Sequence, residues 1–211
     1  MSEPADQQEA DRPARAVIIK AAATLFGEKG YHGTSVRDIS GEVGIMAGSL
    51  YSHIESKQQI LAEILRAYSV QAHAVLVPLE TAPLSTREKL RAVFATYFRL
   101  ISESPSRARV AVHDARSLEP AAFEEARQRR RTTQAIVSRI VQQGIDAGEI
   151  RAIDTTLVSM AVFSITNWAV EWYDPAGEID ADEAADFFAG LLCDGLVAPN
   201  DPKRQGETHD A

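Results

Sequence analysis

One cysteine in 211 residues removes intramolecular disulfides from consideration, and with them the small secreted folds that depend on several bridges. That residue, Cys193, stands among Leu191, Leu192 and Leu196. It reads as a small core or interface residue, and the near-absence of cysteine fits a reducing cytoplasm. No apolar run approaches the roughly 20 residues that cross a bilayer. The opening MSEPADQQEA is acidic and polar, unlike a secretory leader. Convincing strand alternation is missing, and so is any internal repeat. The histidines, at 32, 53, 73, 113 and 209, form no i, i+4 pair of the kind that grips a metal. A Gly-rich phosphate loop after a strand and a nucleophile elbow are also lacking. These absences argue against an enzyme and against a metal or other cofactor.

What remains is an all-α pattern of about nine helices. Residues 1–11 are acidic and aperiodic and are expected to form a disordered arm. A helix is predicted from about Pro13 to Lys29, ended by Gly30, with Ile18, Ala22 and Phe26 on its apolar face. A long helix is predicted from Lys57 to about Val77, stopped by Pro78. Further helices are expected from Ser85 or Thr86 to Pro105, over 106–117, from Pro120 to about Ala147, from the cap Asp154 to about Tyr173, and from Asp180 or Asp182 through Leu196. The organisation is then an arm (1–11), a three-helix domain (12–56), a larger helical body (57–198) and a polar tail (199–211).

The formal net charge of −8 seems at first to disfavour nucleic acid, but the charge is unevenly placed. Residues 12–57 carry six bases against four acids, whereas 58–211 carry 16 bases against 22 acids. DNA affinity depends on local phosphate contacts rather than on the whole-chain sum.

Residues 35–57, SVRDISGEVGIMAGSLYSHIESK, organise the chain. Ser35 caps a helix and Asp38, three residues on, returns the bond. Val36, Ile39 and Val43 fall on one face, small Ser40 permits a close crossing, and Gly44 supplies a left-handed turn. Ile45 and Leu50 anchor a second short helix, and Ser56 with Gln59 makes a second capping box. Two short helices at a glycine turn, the second presenting small and polar residues, suit a DNA major groove.

The segment 14–65, with LFGEKGYHGTSVRDI and VGIMAGSLYSHIESKQQIL, resembles the DNA-binding domain of TetR-type transcriptional regulators. Met46 and Ile54 depart from that pattern, which often has Ser or Thr and Phe there. The resemblance implies a homodimeric repressor on a pseudo-palindromic operator. It implies groove contact from Met46, Ala47, Gly48 and Ser49, and phosphate contact from Tyr51, His53 and Lys57. Ser35 is a further DNA-binding candidate, and Arg37, one turn into the preceding helix, is expected to reach a base or a phosphate. The recognition helix offers few base-reading side chains, so shape readout carries part of the specificity.

In such proteins a small molecule binds in the body and tilts the helix that leaves the DNA-binding domain. Candidate effector residues are Phe94, Tyr97, Phe98, Arg109, His113, Phe163, Asn167, Trp168 and Trp172. An aromatic group at helical spacing is equally consistent with plain core. The segments QQGIDAGEIR and WAVEWYDPAG look most like the regulators that respond to acyl-CoA thioesters in fatty-acid or steroid degradation. Arg107, Arg109, Arg116, Arg127 and Arg129 to Arg131 then become candidates for a CoA phosphate, or form a solvated face paired with Glu124 and Glu125. Another hydrophobic or aromatic metabolite is the competing effector. The apolar helices 154–173 and 181–197 suit a two-fold four-helix interface. The alternative function is an architectural DNA-binding protein with no effector pocket.

Overall fold

The structure is a computed structural model and describes residues 4–194. Its helices are α1 (Pro4–Lys29), α2 (Val36–Val43), α3 (Ala47–Leu50), α4 (Lys57–Leu79), α5 (Thr86–Glu103), α6 (Pro105–His113), α7 (Pro120–Asp146), α8 (Thr155–Trp172) and α9 (Ala181–Asp194), with a 3₁₀ turn at Asp114–Ser117. No strand occurs among the described residues. Side chains are described from Arg15 onward.

The expected capping signals locate most helix starts. Ser35 accepts the Asp38 amide at 3.1 Å, and Asp38 accepts the Ser35 amide at 2.7 Å. Ser85 and Glu88 repeat this box on α5. Asp154 accepts the amides of Thr156 and Leu157 and starts α8. Four boundaries differ from the sequence expectation. Residues 4–11, expected as a disordered arm, continue α1, which begins at Pro4 rather than Pro13; proline suits a first helical turn, and Ala, Gln and Glu propagate it. Pro78 lies inside α4, which runs on to Leu79; in a last turn proline forfeits only one bond. Ser56 accepts the Gln59 amide at 3.1 Å, but the Gln59 side chain accepts from Glu55 rather than from Ser56, so only half of that box forms. The helix expected over 106–117 tightens into the 3₁₀ turn after His113. The tail 199–211 and Leu196 lie outside the described residues.

Two hydrophobic cores are strung along α4. The N-terminal core joins Ile18, Ala22 and Phe26 of α1, Ile39, Leu50 and Ile54, and Ile60, Leu61 and Ile64 of α4. It is completed by Val110 and Leu118, with Ala111, Ala115 and Phe123 against it. The three-helix domain is therefore closed by the body, and the expected boundary at residue 56 does not separate the cores. Gly27 marks how closely α1 and α6 cross, since a Cβ there would stand 2.9 Å from the Cα of Ser106. The second core holds Ala72 and Leu76 of α4 with Phe94, Tyr97 and Phe98 of α5, Ile136 and Ile140 of α7, Val162 and Phe163 of α8, and Ala185 of α9.

By length and composition α4 is long and apolar enough to cross a membrane, contrary to the reading of its sequence. Its apolar residues are divided instead between the two protein cores. Against α5, α9 is held by Phe188, stacked on Phe98 with centroids 5.9 Å apart, and by Arg87–Asp194, Arg91–Asp186 and Arg99–Asp182 ion pairs. Those pairs are exposed, so each contributes at most about 1 kcal/mol. The ring burial dominates.

Candidate functional site

The turn between α2 and α3 rests on Gly44, whose φ of 76° is left-handed and open to glycine with little cost. Its amide donates to Gly41 O at 3.2 Å and the next amide, of Ile45, to Ser40 O at 3.0 Å. This closes α2 and directs the chain into α3. The hydroxyl of Ser40 is spent on the Arg37 carbonyl at 3.0 Å, so a polar residue can lie buried at the crossing. Past α3 the turns continue, with Leu50 O accepting from both His53 and Ile54. Leu50 and Ile54 face the core. The opposite side is thereby fixed outward.

On that outward side stand Ser35, Arg37, Gly48, Ser49 and Tyr51, with Ala47 half-exposed. Met46 is 83% exposed and Tyr51 is 55% exposed, unusual for large apolar and aromatic side chains. Arg37 and Tyr51 make no side-chain hydrogen bond to a described residue. Ser35 is engaged with Asp38 through its capping box.

Lys57 and His53 have internal duties that the sequence does not signal. The ammonium of Lys57 donates to the carbonyls of Tyr31 and Thr34, both at 2.8 Å, and lies 4.0 Å from the Tyr31 ring centroid. Burial pulls its pKa below the ordinary lysine value. Two of its three protons are thus committed to the α1–α2 turn. The His53 carbonyl accepts from Arg15, which also pairs with Glu63 of α4. Arg15 ties the end of the recognition segment to the long helix.

In the body, a cavity of about 190 Å³ opens among α4, α5, α6, α7 and α8. Of the residues singled out in the sequence, Tyr97, Phe163 and Asn167 line it, and so does Arg127. Phe94 and Phe98 do not. They pack on Phe188, away from the cavity. Trp172 joins the same aromatic cluster through Phe98 and Phe188, and Trp168 is 66% exposed. Arg109 donates to the Val170 carbonyl at 3.2 Å and His113 bonds Glu171 at 2.6 Å, so both are struts between α6 and α8. A helical period identifies a buried face without naming what covers it.

Arg130, also singled out, lines it too, whereas sequence reasoning missed Tyr68, Ser69, Ala72, Phe123 and Thr133 as a lining. The signal available was that Tyr68 lies on the core face of α4, one turn past Ile64 and Leu65. Phe123 and Arg127 also border a shallow groove with Arg116, Leu118 and Pro120. This gives the cavity a basic mouth. Arg127 and Arg131 approach Glu124 at 3.3 and 3.8 Å, and Arg129 approaches Glu125 at 3.6 Å. No group of acidic, histidine or cysteine side chains able to hold a metal occurs among the described residues.

A two-helix unit with an outward face, followed by a long helix that also lines a body cavity, is the arrangement of a DNA-binding transcriptional regulator. The family profile described as "Bacterial regulatory proteins, tetR family" matches residues 18–64, and "Tetracyclin repressor-like, C-terminal domain" matches residues 83–196. The chain belongs to the TetR family, as a DNA-binding regulator of the repressor type and not an enzyme. It is 28% identical over 199 residues to the HTH-type transcriptional repressor KstR2 of Rhodococcus jostii, covering 93% of this chain and 98% of that one. The structure of the TetR family regulator PfmR from Thermus thermophilus superposes with a TM-score of 0.80 at 29% identity, over 86% of this chain and 99% of that one. The ketosteroid transcriptional regulator KstR2 of Mycobacterium tuberculosis gives 0.80 at 26% identity, over 88% and 96%. AibR, solved with isovaleryl coenzyme A and operator DNA, shares the fold at a TM-score of 0.76 and 22% identity, over 85% and 97%.

Proposed function

We propose that this chain acts as a cytoplasmic homodimer that occupies a pseudo-palindromic operator and releases it when a small hydrophobic effector enters the body cavity. The observation that carries this reading is the double use of α4. Its first residues, Lys57 and Gln58, are bonded to the α1–α2 turn and to the 3₁₀ turn. Leu65, Tyr68, Ser69 and Ala72 of the same helix line the cavity. Tyr68 lies about 16 Å along the axis from Lys57 at 1.5 Å per residue. A ligand that displaces α4 at the cavity moves the base of the reading unit, so differential affinity for the two positions becomes differential DNA affinity. A protein that only shaped DNA has no use for this cavity, which disfavours the architectural alternative.

On DNA, Met46, Ala47, Gly48 and Ser49 meet the major groove, Arg37 reaches a base or a phosphate, and Tyr51 donates to a phosphate. His53 and the remaining proton of Lys57 lie beside the same strand. Ser35 contributes through its cap, as an ordered helix start facing the backbone. Dimerisation runs through α8 and α9. Leu157, Met160, Trp168 and Trp172 form an exposed apolar stripe on α8, and Phe187 of α9 is 64% exposed. Such a stripe favours a two-fold partner.

For the effector, an acyl-CoA thioester fits best: the cavity is largely apolar, and Arg127 and Arg130 with Arg116 offer guanidinium groups for phosphate at its mouth. AibR, which has the same fold, is solved with isovaleryl coenzyme A. The test combines an operator selected by the protein from a random DNA library with a panel of CoA thioesters. Operator release measured by fluorescence anisotropy, together with calorimetric binding, supports the reading. Failure of every thioester to bind ends it.

A further inference from the structure

Tyr97 is only 6% exposed, yet its hydroxyl has no hydrogen-bond partner among the described residues. The same holds for the hydroxyl of Tyr68, whose ring centroid is 6.4 Å from that of Tyr97. Both side chains line the cavity, as does Asn167, whose amide is likewise unengaged. The other hydroxyls of the lining are already spent on backbone: Ser69 on the Arg66 carbonyl at 3.0 Å, Thr133 on the Arg129 carbonyl at 3.1 Å. Burial pushes both phenols well above their ordinary range, so each remains a neutral O–H donor. Three neutral, unspent polar groups thus line a cavity whose walls include Leu65, Ala72 and Phe163, with the guanidinium groups of Arg127 and Arg130 also in the lining.

A purely alkyl occupant leaves these donors unmade, which is unfavourable once water is displaced. An oxygen presented by the ligand satisfies them. Size is a second constraint. A cavity of 150 Å³ holds benzene, so 190 Å³ takes about eight heavy atoms. A four-ring nucleus or a long alkyl chain exceeds it.

We propose that the cavity selects a compact acyl group, of single-ring size, whose buried end carries a carbonyl or hydroxyl oxygen bound by Tyr68, Tyr97 and Asn167. The thioester and nucleotide extend toward Arg127 and the groove. This rests on the acyl-CoA reading above and narrows it to an oxygenated, short acyl class.

The test is calorimetric titration of the full chain with cyclohexanecarbonyl-CoA, 4-oxocyclohexanecarbonyl-CoA and palmitoyl-CoA, with the two free ring acids alongside. The oxo thioester is expected to bind about tenfold tighter than the unsubstituted ring, and palmitoyl-CoA more weakly than either. In Tyr97→Phe and Tyr68→Phe the oxo preference should collapse while affinity for the plain ring is retained. Those variants keep the ring packing, and a retained circular dichroism melt shows that they fold. An oxo thioester no tighter than the plain one, a preference that survives both substitutions, or a tighter palmitoyl-CoA overturns the proposal. If no thioester binds, the acyl-CoA reading falls by itself. The free acids then decide the selectivity: a preference for the oxo acid that Tyr97→Phe removes upholds it, and equal or absent binding of the two acids overturns it.

Discussion

Gln58, the second residue of α4, donates its side-chain amide to the carbonyl of Ser117 at 2.7 Å, and its side-chain oxygen accepts the Glu119 amide at 3.2 Å. Ser117 closes the 3₁₀ turn, and its hydroxyl is 3.0 Å from His32 Nε2 on the other side of the junction. The next residues, Leu118 and Pro120, border the groove at the mouth of the cavity. A single amide therefore bonds the base of the reading unit to the rim of the body cavity.

Replacing Gln58 with Ala is expected to loosen this link. The stability cost is about 1 kcal/mol, typical of one or two part-exposed hydrogen bonds. The larger effect falls on coupling: effector binding persists, but the effector lowers operator affinity by a smaller factor. Anisotropy titrations with and without ligand measure the ratio. An unchanged ratio refutes the role.

Lys57→Met keeps the stem of the side chain and removes the ammonium, leaving the Thr34 carbonyl without that donor and the Tyr31 carbonyl with only the Thr34 amide. Its cost is about 1–3 kcal/mol, visible as a lower thermal midpoint. Lys57→Arg is expected to recover only part, because a planar guanidinium cannot replace a compact ammonium over the Tyr31 ring without shifting.

Tyr51→Phe removes one hydroxyl from an exposed ring and leaves the fold untouched. Operator affinity should drop roughly five- to tenfold, uniformly across operator sequences, as expected for a phosphate contact. Thermal denaturation of the free protein should not move. A base-dependent loss would reassign Tyr51 to readout.

Trp168→Glu and Phe187→Glu place charges in the exposed stripe of α8 and α9. Sedimentation should show a shift from dimer to monomer, with operator affinity lost in parallel. A double variant that remains dimeric moves the interface elsewhere.

The pH dependence follows from capping carboxylates. The Ser35 hydroxyl and then its amide hold Asp38 below its ordinary value of 3.8, and Ser85 holds Glu88 below 4.5 in the same manner. The folded state then binds protons less readily than the unfolded chain. Its stability is complete above the unfolded values and is lost as the pH falls through the folded ones. The melting temperature should decline from about pH 5 downward, and Asp38→Asn with Glu88→Gln should flatten that decline.

Much of this molecule is legible in the order of its residues, because the signals involved are local. The Ser35–Asp38 box, the Asp154 cap and the left-handed turn at Gly44 each close hydrogen bonds within a few positions, so local spacing points to them, although the same spacing at Ser56 and Gln59 forms only half a box. The outward face of α3 follows from Leu50 and Ile54 pointing inward. The tertiary structure alone decided the rest. Phe98 and Tyr97 are neighbours on α5, yet one is sealed against Phe188 and the other lines the cavity, a difference set by which helices arrive there. Lys57 also holds two backbone carbonyls more than 20 residues away, which no local spacing announces. Likewise Val110 and Leu118 complete a core begun nearly a hundred residues earlier. Periodicity reports that a face is buried; only packing determines what buries it, and here that difference separates core from candidate site.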